Sequence, residues 1–225
     1  MKRMKIILLA AVAAMALMAA VGAGSALATP TSLCKAPTTP GGLPICEGAH
    51  LYPAGTTIHA HLEAGTKLVI PTPNGVVECV TSTIDGNTEQ ATAMPLGVFI
   101  NVLSFNGCED AGEPVDVEAV KPGTLDIEII DLPVWTHNGT LTLTGTEIRV
   151  LWTFSGDECF YDPGHTGVLT GGPMATIDWN GVLTYTKGNL GCQAGNATWN
   201  GSYTVTTPEP LWVSMEFTPE ARRGR

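Results

Sequence analysis

The chain has 225 residues, with 11 Lys and Arg against 21 Asp and Glu, and a net charge of −10. So acidic a surface repels phosphate backbones, which argues against nucleic acid as a partner. The length suffices for one large domain or two small ones, each with a real core.

The chain opens as an export signal. Lys2, Arg3 and Lys5 form a positive n-region, and an apolar run from Ile6 to Ala23 follows. Ala26 and Ala28 then satisfy the small-x-small rule, so residues 1–28 are expected to form a signal helix cleaved after Ala28. The run is also long enough to begin spanning a bilayer, which leaves an uncleaved anchor as the alternative. Thr31-Ser32-Leu33 before Cys34 lacks the small residue that a lipidated cysteine needs. Cleavage would remove three cations and no acid, leaving 8 cations against 21 acids and a net charge of −13.

All six cysteines, Cys34, Cys46, Cys79, Cys108, Cys159 and Cys192, follow the signal. An even count in an exported chain implies disulfides, although 15 pairings are open to six cysteines. Neighbours in order, 34–46, 79–108 and 159–192, are the expected pairs. No CxxC occurs, so neither a zinc knuckle nor a thioredoxin-type redox site is indicated.

Residues 29–57 are rich in Pro, Gly and Thr without any period and are expected to form an irregular lead-in. Alternating runs follow. Ile58, Ala60 and Leu62 alternate with His59, His61 and Glu63, and further strands are expected at 66–70, 76–84, 98–105, 115–120 and 125–130. In the second half, strands are expected at 140–144, 147–154, 176–179, 182–186, 198–206 and 211–217. Asn-Gly at 74, 106, 138, 180 and 200, and Asp85-Gly86, supply the positive φ that tight hairpin turns need.

The expected fold is all-β: an antiparallel two-sheet β-sandwich of Ig-like or jelly-roll-like architecture, spanning residues 58–217 and stapled by disulfides. The similar spacing of Cys79–Cys108 and Cys159–Cys192 suggests two related units, about 58–135 and 136–217. Residues 218–225, with Arg222, Arg223 and Arg225, form a basic tail.

Three groups of residues carry candidate chemistry. His59, His61 and Glu63 leave one face of a strand, and two imidazoles with a carboxylate suit Zn²⁺ or another transition ion. Asp157, Glu158 and Asp162 crowd around Cys159 in an acidic turn that offers oxygen ligands to Ca²⁺. Trp179 and Trp199 stand beside Asn-Gly dipeptides, where exposed indoles would stack on sugar rings. Core packing is the competing reading for both tryptophans.

No GxSxG elbow, HExxH, P-loop or GxGxxG is present, so no enzyme class is indicated and no cofactor is required. The expectation is a secreted, bacterial-type, non-catalytic structural or binding module. It would act on an extracellular ligand or cell-surface component, with no membrane attachment after signal cleavage. A metal-binding protein or metal-dependent enzyme using the histidines, and a carbohydrate-binding domain, are the alternatives.

Overall fold

The computed structural model describes residues 30–38, 45–130, 136–164 and 166–216. The signal segment 1–28, the tail 218–225, Trp135 and His165 lie outside the described residues. Every described element is a strand except one short 3-10 turn, Gly48–His50. The all-β expectation therefore holds.

The strands form one antiparallel meander. β3 (Thr57–Leu62) and β4 (Leu68–Pro71) both pair with the long β5 (Val76–Thr88), with His61 opposite Thr83 and Leu68 opposite Cys79. They are two lengths of one interrupted strand. β5 turns back into β7 (Leu96–Asp110), after the two-residue β6 (Thr92–Ala93). The same interrupted construction recurs in β8 (Glu113–Lys121) with β9 (Thr124–Ile129), in β10 (Gly139–Thr144) with β11 (Glu147–Trp152), and in β12 (Asp157–Asp162) with β13 (Thr166–Thr170). Two more long strands, β14 (Ala175–Gly188) and β15 (Ala197–Thr207), complete the series.

Each of these eight staves pairs with the one before it, and the last returns to the first: Tyr203 on β15 lies opposite Leu62 on β3, and Asn200 opposite Val69 on β4. The twelve strands therefore close on themselves as an up-and-down barrel. The pairing does not divide into the two facing sheets expected of a sandwich. Closure removes the edges that an open sheet of this width would expose.

The long strands correct a second expectation. Asn180-Gly181 was expected to turn a hairpin, yet β14 runs straight through it. Asn200-Gly201 likewise lies inside β15. The reason is cross-strand pairing: Trp179 lies opposite Gly201, and Trp199 opposite Gly181. Both dipeptides are held in the ladder between the two strands, and at Gly201 the missing side chain leaves room for Leu68 and Leu62.

The interior is apolar. Ile58, Ala60, Leu68, Ile70, Val77, Ile84, Ile100, Leu125, Leu141, Ile148, Val150, Leu169, Ile177, Leu183 and Val205 are buried in one continuous core. The outside carries Thr and charge. Arg149 reaches Asp116 at 2.7 Å, Glu118 at 2.8 Å and Glu158 at 3.7 Å, and Lys67 joins Glu78 at 2.6 Å.

The lead-in is ordered by partners it meets at the far end of the chain. β1 (Thr31–Cys34) pairs antiparallel with β16 (Trp212–Glu216) and with β6, and β2 (Ile45–Cys46) pairs parallel with β16. This four-stranded sheet lies against one end of the barrel. Leu33 and Val213 join the main core, and the Ile129 amide donates to Thr31 Oγ1 at 3.1 Å. The disulfides are 34–46, 79–108 and 159–192, the sequential pairing expected. In the chain-entropy account, closing loops of 12 to 33 residues contributes about 3–4 kcal/mol each.

Candidate functional site

One seam of the barrel is only partly zipped. β7 pairs with β9 from Leu96 to Phe99 and with β8 at Glu109 and Asp110, and no ladder joins the strands between. Two local features account for this. β7 carries one extra residue, Asn101, where the register with β5 shifts between Asp85 and Gly86. Facing it, Pro122-Gly123 separates β8 from β9, and Pro122 has no amide to donate. The two ladders keep one register at their ends, and between them the bulge at Asn101 and the missing amide of Pro122 leave the strands unpaired.

The parted strands leave an open groove of about 560 Å³, lined by Leu103, Phe105, Val117 and Ala119 and by the polar Asn101, Ser104, Asp116 and Glu118. Leu103, Phe105 and Val117 are inward, buried residues, so the opening reaches the core. Val102 stands at its outer rim, 44% exposed. Phe105 meets Trp199 edge-on, with ring centroids 5.5 Å apart, and Trp199 lies 5.8 Å from Trp179. An aromatic file thus runs from the seam into the barrel.

Polar atoms in that file are undersupplied with partners. The Trp179 indole N–H is buried without an acceptor. Trp199 Nε1 lies near the Tyr203 oxygen and slightly favours its ionised form, but makes no hydrogen bond in this geometry. The Tyr203 hydroxyl donates to Ser82 Oγ at 2.9 Å, and burial drives its pKa far above the ordinary tyrosine value. An unsatisfied buried donor costs about 1–3 kcal/mol, so such groups mark places where an acceptor belongs.

The residues singled out from sequence are distributed differently. Trp179 and Trp199 are 3% and 1% exposed, so they offer no outer face to a sugar. Trp179 packs over Gly167, the glycine opposite it on β13. His59 and His61 do leave the same outer face of β3, with ring centroids 6.3 Å apart. Glu63 falls beyond the end of β3, where its amide bonds Ser202, and the carboxylate at His59 Nδ1 is instead that of Asp85 on β5. The acidic turn is a strand: Asp157 accepts from Ser155 at 2.8 Å, Glu158 pairs with Arg149, and Asp162 is exposed. Among the described residues no three His, Cys, Asp or Glu side chains gather as a metal group.

Sequence reading missed Leu103, Phe105 and Val117. A signal was there: the inward apolar residues of β7 run 96, 98, 100, 103, 105 and 108, and the steps of three mark departures from regular pleating. Gly107, with φ +61°, sits at the second of them. Comparison with known families, curated proteins and solved structures returned no match.

Proposed function

We propose that this chain is an exported, non-catalytic binding module that takes a small, mainly apolar ligand bearing a hydrogen-bond acceptor through the open seam of its barrel. The observation that carries this reading is the groove between β7 and β8, floored by Phe105 and backed by Trp199 and the unpartnered Trp179 indole. Eight-stranded barrels are just wide enough to be filled by side chains or to hold one small ligand. Apolar side chains beside placed polar groups, here Asn101, Ser104, Asp116 and Glu118, are the usual ingredients of a ligand site.

Export is supported by the signal-type N-terminus and by three disulfides, which persist in oxidising compartments. Charged residues on the outward staves, such as Glu78, Glu109, Asp116 and Glu118, support a barrel surrounded by water, since a lipid-facing surface is apolar.

Titration with the apolar fluorophore N-phenyl-1-naphthylamine tests the site. Saturable binding by the folded protein, with energy transfer from tryptophan, is expected. Ala119→Trp, which fills the seam from a partly exposed position, should abolish it while leaving the melting temperature within a few degrees. Binding that survives this substitution, or that appears only on unfolding, would reject the seam as the site.

A further inference from the structure

We infer a second and separate site on the outside of the barrel, where His59 and His61 bind one divalent transition ion and Asp85 orients the first of them. The two imidazoles stand two residues apart on β3, so both leave the outward face. Asp85 lies directly opposite His59 in the β3–β5 register, and its Oδ1 contacts His59 Nδ1. A carboxylate that accepts a hydrogen bond from Nδ1–H fixes the tautomer and turns Nε2 outward with its lone pair. His59 is thus set up as a metal ligand on its own strand pair.

His61 supplies the second nitrogen. Two imidazoles sharing a tetrahedral ion through bonds of about 2.0–2.1 Å have ring centroids about 5 Å apart. The observed 6.3 Å is close enough for a side-chain rotation to make up the difference. His61 is free to make it, since among the described residues its ring holds no hydrogen bond, whereas the His59 ring is anchored. His59 and Asp85 side chains are 39% and 34% exposed, so water completes the coordination. The donor set, two imidazole nitrogens and open positions, suits Cu²⁺, Ni²⁺ and Zn²⁺ and discriminates against Ca²⁺ and Mg²⁺, which take oxygen ligands. Asp85 replaces Glu63 as the carboxylate that matters, and it acts from outside the coordination sphere.

Calorimetric titration of the mature, chelator-stripped protein with Ni²⁺ and with Zn²⁺ tests this assignment. One ion per chain is expected, with His59→Gln or His61→Gln weakening affinity at least about a hundredfold and Asp85→Asn about tenfold. Glu63→Gln should leave affinity unchanged. Unchanged thermal melts would establish that these surface variants fold, and the Cu²⁺ form should show two coupled nitrogens by electron paramagnetic resonance. Binding that persists in both histidine variants would overturn the site. Sensitivity to Glu63→Gln without sensitivity to Asp85→Asn would overturn the orienting role.

Discussion

Trp179 and Trp199 occupy reciprocal positions on β14 and β15, each indole opposite the glycine that follows its partner's asparagine, Gly201 for the first and Gly181 for the second. The two Trp-Asn-Gly triplets, 179–181 and 199–201, thus lie side by side on neighbouring strands. The two rings lie 5.8 Å apart inside the barrel, and Phe105 links them to the open seam.

Gly167, opposite Trp179 on β13, makes the indole packing testable. A Cβ there would come within 2.7 Å of the Trp179 ring and 3.0 Å of the Asp178 carbonyl. Gly167→Ala should cost about 1–3 kcal/mol by overpacking, with a shift in tryptophan emission as Trp179 is displaced. Denaturant unfolding followed by fluorescence measures both.

Phe105→Ala should remove the floor of the seam. Loss of a buried phenylalanine costs about 3–5 kcal/mol, and here part of the new cavity opens to water. Urea unfolding should show the loss. Acrylamide should quench tryptophan in the folded variant more efficiently than in the parent, because Trp199 loses its cover.

The Cys79–Cys108 pair ties directly opposed residues of β5 and β7, the strand that leaves the seam open on its other side. Replacing both by Ala should cost about 3–4 kcal/mol, less the packing gained or lost by the alanines. Unfolding under non-reducing conditions is the measurement. A loss well below 1 kcal/mol would mean the ladder alone holds the pair.

Tyr161 and Tyr203 give the barrel an alkaline limit. Burial raises the Tyr161 pKa from 10.0 to about 12 and that of Tyr203 further still. Below pH 10 both states carry these hydroxyls protonated, so stability is undiminished. Above it the unfolded chain ionises first and binds fewer protons, so stability falls as pH rises from 10 through 12. Ultraviolet titration should find these two tyrosines silent until the barrel unfolds. Their ionisation near pH 10 with the fold intact would contradict their burial.

Intact mass of the protein recovered from its expression host checks the proposed signal cleavage. Loss of residues 1–28 and a deficit of six hydrogens for the three disulfides are expected. A full-length mass would establish the anchor in place of the cleaved signal.

Much of this was legible residue by residue. Alternation of Ile58, Ala60 and Leu62 with His59 and His61 gave the strand and its faces, because pleating projects every second side chain to one side. The cysteine count called for disulfides, and of the pairings it left open the structure has the sequential set that was expected. The same local logic failed at Asn180-Gly181. A dipeptide that can turn does so only when its neighbours leave it free, and here both flanks are held in the ladder between β14 and β15.

The sequence by itself determined an all-β chain, an excess of acid and an even set of cysteines that calls for disulfides, because each of these depends on pleat period or on a count of residues. Only the tertiary structure decided that β15 returns to β3 and closes a barrel, that Trp179 and Trp199 turn inward, that Asp85 and not Glu63 meets His59, and that β7 and β8 part. Each is a relation between segments far apart in the chain or across a register, and a single strand carries no record of which partner lies beside it.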